Sequence, residues 1–143
     1  MKFTLKMSNP NGILVHNDRI YFSDQDNHRV RMVLPNGIIK TIAGNGIKGN
    51  VGDGNLAIKA ELRTPTGLFV DDSGIYICFC DDMRIRKVDS NRIIRTIVGT
   101  GKYGYSGDVP FDFQQYPHIG PRKKSLIKPF LKVLYDITIH FND

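Results

Sequence analysis

Residues 20–33 read IYFSDQDNHRVRMV, and residues 75–88 read IYICFCDDMRIRKV. Both begin on Ile-Tyr, pass through a polar knot and leave on Arg-x-Arg-x-Val. The match runs well beyond these stretches. Pro10, Gly12 and Val15 recur as Pro65, Gly67 and Val70; Thr41-Ile42 recurs as Thr96-Ile97; Gly52-Asp53 recurs as Gly107-Asp108. Every pair is 55 residues apart, with no gap, and 19 of the 44 positions from 10 to 53 are identical to their partners. Chance alone would give about two or three. Self-similarity at a fixed period is the signature of a repeat architecture, and it outranks any local motif.

Each copy predicts four short strands. In the first they are GILVH (12–16), RIYFSD (19–24), RVRMV (29–33) and IIKTIA (38–43), rich in β-branched and aromatic residues. Turn residues separate them: Asn17-Asp18, Gln25-Asp26-Asn27 and Pro35-Asn36-Gly37. In the second copy Asp72-Ser73-Gly74 and Ser90-Asn91-Arg92 stand in the first and third turns, with Asn91 expected to take the left-handed conformation. NLAIKAEL (55–62) predicts one short helical turn between the copies. Four meandering strands per unit, repeated head to tail, make a β-propeller, whose blades cover one another's faces. The predicted class is therefore all-β: a partial, open propeller of two four-stranded blades. The expected divisions are an N-terminal segment (1–9), blade one with its Gly-rich linker (10–64), blade two (65–108), and a basic tail or incomplete third blade (109–143).

With these residues on the page, the chain resembles the NHL repeat. IYFSDQDNHRVRMV with GIIKTIAGNG is similar to an NHL blade. GNVGDGNLAIKAELRTPTGLFVD is similar to the connector of long-linker NHL proteins, including the NHL region of teneurin-like proteins. The structural repeat signature comprises Asp24, Asn27, His28, Arg29 and Arg31 in copy one, and Arg84 and Arg86 in copy two. The other positions have changed: Phe79 stands at the Asp24 place, Asp82 at that of Asn27 and Met83 at that of His28. The expected role of this cluster is architectural. Asp and Asn would bond their own backbone and close the second hairpin. The arginines would bond a carboxylate or carbonyl and stack on the next blade.

Two other patterns invite chemistry. GNGIKG (44–49) and GTGKYG (99–104) each fit G-x-G-x-x-G. A phosphate loop needs a helix opening at the third glycine, yet NVGDGN and YSGDVP follow. GNGIKGNV with LAIK (56–59) imitates a kinase pattern, but no HRD or DFG accompanies it. His16, His28, His118 and His140 share no ligand spacing. No catalytic, metal or cofactor residues are therefore assigned, and no enzyme activity is expected.

The net charge is +6, and Arg122, Lys123, Lys124 and Lys128 form a candidate basic patch in the tail. Such charge can meet nucleic acid, or can simply be solvated. No apolar run approaches the ~18 residues of a membrane span. MKFTLKMSNP lacks an apolar signal core. Cys78 and Cys80 are the two cysteines, expected on one strand face as reduced thiols. Together these features predict a cytoplasmic setting.

The resemblance implies a non-catalytic NHL interaction or scaffold module, a fragment of a larger propeller that binds protein partners. Self-assembly would be one way to complete the ring. The alternative is RNA binding through a basic face, with Arg19, Arg29, Arg31, Arg84, Arg86 and the tail supplying charge. A third reading is part of an NHL-type metal-dependent lyase, with His16 and His28 joined by histidines of other blades.

Overall fold

In the computed structural model the chain divides into two compact units, Met1–Tyr103 and Gly104–Asp143. The structure describes residues 5–102. The expected tail or third blade and the basic patch Arg122, Lys123, Lys124 and Lys128 lie outside the described residues.

The first unit is all-β. Strands β1 (Pro10–His16), β2 (Arg19–Asp24), β3 (Arg29–Val33) and β4 (Ile39–Ala43) form one antiparallel sheet in sequence order. Strands β5 (Leu68–Asp71), β6 (Gly74–Phe79), β7 (Arg84–Asp89) and β8 (Ile94–Val98) form the second, built the same way. These are two blades of an open propeller, as the repeat predicts. Among the described residues there is no α-helix; a 3-10 turn at Ala57–Lys59 fills the place predicted for NLAIKAEL, and a second spans Cys80–Asp82.

The turns follow from local chemistry. Asn17 and Asp18 both have positive φ (48° and 57°), which is what a two-residue type I′ hairpin requires. The β3–β4 loop spans residues 34–38 and closes with Gly37 N–H donating to the Leu34 carbonyl at 2.8 Å. In blade two the matching bond runs from Arg92 N–H to the Asp89 carbonyl at 2.9 Å. Here the expectation for Asn91 is corrected. Arg92, at the Gly37 place, takes the left-handed conformation (φ 65°). The loop demands positive φ at this residue, and Asp89 Oδ1 supports the bend by accepting from the N–H groups of Asn91 and Ile93.

The core lies between the blades. Val30 and Ala43 of blade one, Ala57, Ala60 and Leu62 of the linker, and Ile77, Phe79, Val88 and Ile94 of blade two form one buried cluster. This explains why β6 reads apolar without alternation: Tyr76–Phe79 is buried at every position. Each fully buried aliphatic side chain there contributes about 1.5–3 kcal/mol, so neither blade keeps this stabilisation without the other.

The thiols do not share a strand face. Cys78 is buried in β6, whereas Cys80 has left the strand for the 3-10 turn and is exposed. Both are free. Burial, with a smaller push from Cys80, raises the Cys78 thiol to about 12.

Candidate functional site

The polar knot of blade one is the hairpin corner between β2 and β3. Asp24 is wholly buried at its centre. Its Oδ1 accepts from Asn27 Nδ2 at 2.8 Å and from the Ser8 N–H at 2.9 Å; its Oδ2 accepts from Arg31 Nε at 3.2 Å. Asp24 thus bonds the Asn27 side chain of its own turn and also ties in the incoming segment at Ser8, where the sequence reading expected bonds to its own backbone. Arg31 Nη1 also donates to Thr41 Oγ1 on β4. Arg29 donates from Nη1 and Nη2 to the carbonyls of Asn27 and Asn45, each at 3.1 Å. Both arginine contacts are made inside the blade.

His28 sits at the tip of the corner in the left-handed conformation (φ 53°). Its Nδ1 accepts from the Thr64 N–H at 3.4 Å, which links the corner to the entry of blade two. That bond needs the unprotonated nitrogen. Burial, then Lys48 and Arg29, pull the His28 pKa below its ordinary value, with Asp26 opposing.

Blade two repeats the corner with other atoms. Met83 takes the His28 place and its left-handed backbone (φ 47°). Arg84 Nη1 reaches both oxygens of Asp82 at 2.9 Å, and its Nη2 donates to the Thr100 carbonyl at 3.1 Å, matching Arg29 on Asn45. With Phe79 at the Asp24 place, Arg86 lacks the carboxylate that Arg31 finds in its corner, and Asp82 is taken by Arg84. Its carboxylate comes from the linker. Arg86 Nε donates to Asp53 Oδ1 at 2.9 Å and Nη2 lies 2.8 Å from the same oxygen. Nη1 donates to the Glu61 carbonyl at 2.8 Å and Nη2 to that of Val51 at 3.3 Å. Asp53 Oδ2 accepts from the Thr96 N–H on β8 at 2.8 Å. Asp53 is therefore a strap from the linker onto two strands of blade two. Burial pushes its carboxyl up, but the Thr96 bonds and Arg86 together outweigh this and hold its pKa below the usual value.

Sequence reading missed this pairing, although a signal was present. Arg86 is kept while its in-blade acid is replaced by Phe79. A buried arginine without a carboxylate is costly, so one had to arrive from elsewhere, and Gly52-Asp53 is the repeated acid nearest to hand.

The two G-x-G-x-x-G matches are also accounted for. A Cβ on Gly44 or Gly99 would run into the carbonyl oxygen of His28 or Met83, the same corner position in each blade. A Cβ on Gly46 or Gly101 would run into the guanidinium of Arg29 or Arg84. The first two glycines of each match are fixed by the hairpin corner, without reference to any phosphate.

The remaining candidates do not converge. His16 ends β1, where its Nε2 lies 3.1 Å from Asn17 Nδ2 and 3.4 Å from Asp72 Oδ1. His28 is at the other end of β2, about 20 Å away at ~3.3 Å per strand residue. The two cannot share an ion. Among the described residues no group of three His, Cys, Asp or Glu is placed to hold a metal. Arg86 is 1% exposed, so it cannot serve a basic outer face.

Four-stranded meanders joined by a Gly-rich linker, with arginine-locked hairpin corners, define NHL-type propeller blades. More particularly, the chain is similar to teneurin-like, long-linker blades: residues 45–114 match the family described as the Teneurin NHL domain. The chain is 47% identical to mouse teneurin-3 over 49 residues, which is 34% of this chain and 2% of that protein. It is 32% identical to chicken teneurin-1 over 96 residues, covering 58% of this chain and 4% of that protein. To mouse teneurin-4 it is 34% identical over 94 residues, covering 57% of this chain and 3% of that protein. The chain thus spans a few per cent of the length of the relatives it matches.

These relatives overturn one expectation. Teneurins are membrane-spanning, extracellular proteins, which conflicts with the cytoplasmic setting predicted from the sequence. That prediction leaned on free thiols and on a missing signal core, and neither reports where a propeller blade resides. Among the described residues no helix is long and apolar enough to cross a membrane.

Proposed function

We propose that this chain is a non-catalytic NHL-type interaction module that binds protein partners through its blades. The observation that carries this reading is the open face of blade one. Ile13 and Val15 stand on one side of β1 and are 76% and 69% exposed, with Ile20 beside them on β2. Side chains of this kind are normally covered, and a contiguous apolar strip on a sheet marks a protein contact. The polar residues that could have suggested chemistry are occupied in holding corners and strap together.

The test uses three assays on the purified chain. Capture of protein partners from extracellular extracts is compared between the wild type and Ile13→Ser/Val15→Ser. The expected result is a defined set of partners lost in the variant. Poly-U binding that weakens steeply with salt would favour an RNA role instead. Stoichiometric zinc or calcium that disappears with His16→Ala would favour a lyase-like role. Either outcome overturns the proposal.

RNA binding finds less support in the geometry. Arg29, Arg31, Arg84 and Arg86 each donate to acceptors within the fold. Phosphate contacts would have to break those bonds.

A further inference from the structure

Three Asn-Gly pairs lie in the first copy of the repeat: Asn11-Gly12, Asn36-Gly37 and Asn45-Gly46. Their places 55 residues on read Thr66-Gly67, Asn91-Arg92 and Thr100-Gly101, so each pair has lost its Asn or its Gly in the second copy. Asn is a chemically labile residue. It is most so before Gly, where no side chain shields the following backbone nitrogen and the chain bends freely. The fold treats the three pairs differently, and the difference singles out Asn11.

In the Asn36 pair the backbone nitrogen is occupied: Gly37 N–H closes the turn on the Leu34 carbonyl. In the Asn45 pair the carboxamide is occupied. Its Nδ2 donates to the Lys59 carbonyl at 3.2 Å, and its Oδ1 accepts from the Ile47 N–H at 2.8 Å. Asn11 is exposed and is held otherwise. Pairing of β1 with β2 shifts register between Asn11 and Ile13, which makes Gly12 the bulged residue. Its N–H turns back onto Asn11 Oδ1 at 2.8 Å, so the nitrogen lies against its neighbour's carboxamide. The Asn11 backbone carbonyl accepts from the hydroxyl of Ser23, a fully buried residue. A donor there stabilises the negative charge that spreads onto this oxygen when the Gly12 nitrogen loses its proton. Gly12 is also fixed by the fold: its φ is 44°, and a Cβ would collide with the Thr66 carbonyl oxygen. Contact with blade two thus imposes the glycine that leaves Asn11 reactive.

We infer that Asn11 is a modification site, deamidated through a cyclic imide without an enzyme. The Gly12 nitrogen gives its proton to solvent and forms a bond to Asn11 Cγ. The Cγ–Nδ2 bond breaks, and Nδ2 takes a proton from solvent and leaves as ammonia. Water then adds to either imide carbonyl and reopens the ring. The product is aspartate or isoaspartate at position 11, with water consumed, ammonia released and no oxidation or reduction. Either product loses the bond that Asn11 Nδ2 donates to Gln25 Oε1 at 3.2 Å. Either one sets a new carboxylate beside Pro10, the residue paired with the buried Asp24. In isoaspartate the chain runs through Cγ and is one carbon longer, and the carbonyl bonded to Ser23 becomes a free carboxylate. Ser23 Oγ also lies 2.7 Å from the Thr66 carbonyl oxygen, so the change acts at a joint between the blades.

The test ages the purified full chain in mildly alkaline buffer and follows all three pairs by peptide mass spectrometry. Isoaspartate is counted separately with an isoaspartyl methyltransferase. A hydrogen bond that must break before the imide can form slows a site, so Asn11 should convert about tenfold faster than Asn36 or Asn45. In guanidinium chloride the fold is gone, and the three rates should converge. Ser23→Ala, checked for folding by circular dichroism, should slow Asn11 and leave Asn36 unchanged. If that variant does not fold, the wild-type ranking of the three sites decides. Chain enriched in isoaspartate should unfold at lower denaturant than fresh chain. The inference is overturned if Asn11 stays unmodified, if Asn36 or Asn45 leads in the folded chain, or if Asn11 leads equally in denaturant. It is also overturned if a folded Ser23→Ala chain converts Asn11 as fast as the wild type. An unchanged unfolding midpoint overturns the effect on the joint.

Discussion

Asp53 and Arg86 sit 33 residues apart, in the linker and in blade two, yet they form one pair with a 2.8 Å contact. The guanidinium is 1% exposed while the carboxylate side chain is 44% exposed. The pair closes the gap left where Phe79 replaced the acid of the repeat. It makes the linker part of the second blade.

Removing the carboxylate should therefore be costly. Breaking a buried pair by deleting one partner costs about 3–5 kcal/mol. Because Asp53 is partly solvated, water recovers some of that, and about 2 kcal/mol is expected for Asp53→Ala. Urea unfolding measures this, and Arg86→Met completes a double-mutant cycle. A loss for Asp53→Ala within experimental error would show that the strap does not hold the blades.

Acid should act through the same carboxyl. Its folded pKa lies below the ordinary 3.8, so the unfolded chain binds the proton more readily. The stability this group contributes is fully present above about pH 3.8 and is lost as pH falls through the depressed value. Asp53→Asn should flatten the stability profile between pH 4 and 2 relative to the wild type. Parallel profiles for the two proteins would argue against the assigned shift.

His28 predicts a second, milder dependence. Its folded pKa is lowered from 6.5, so between that value and the depressed one the unfolded state holds more protons. Stability should rise with pH across that window, and protonation should release the Thr64 N–H. His28→Asn removes the titration and tolerates the left-handed backbone. The difference in urea midpoint between the two proteins should shrink as pH falls from 7.5 to 5.5.

The core between the blades makes Leu62 a sensitive position. It is fully buried within the linker, between the two sheets. Leu62→Ala should cost about 2–5 kcal/mol. Calorimetry should show both blades melting in one transition at a lower temperature. Two separated transitions in the wild type would mean that each blade has its own core.

Met83 offers a change in the opposite direction. A non-glycine residue in the left-handed region costs about 1–2 kcal/mol, and Met83 gains nothing evident from it. Met83→Gly should raise stability by roughly 0.5 kcal/mol once the greater freedom of the unfolded glycine is counted. The check is a shift of the denaturation midpoint to higher urea.

Much of the fold could be read from periodicity. The first-copy strands fall within two residues of their predicted bounds, because β-branched runs and Asn, Asp, Pro and Gly turns act locally. Arg92 escaped notice because residue preference favours Asn91, whereas loop geometry selects the next position. Asp53 escaped because its partner is 33 residues away and no local rule joins them. The roles of Asp24 and Arg31 were legible as residue types but not as bonds: the Ser8 and Thr41 partners are set by tertiary placement.

The shared cluster of Val30, Ala43, Leu62, Ile77 and Ile94 also bears on synthesis at the ribosome. The first four strands emerge before the linker and second blade that shelter their inner side. They must wait until β8 has left the exit tunnel, and during that interval a nascent chain exposes sticky surface to chaperones. Elongation speed past residue 98 is then a determinant of yield, and slowing translation just upstream of β5 should increase misfolded product.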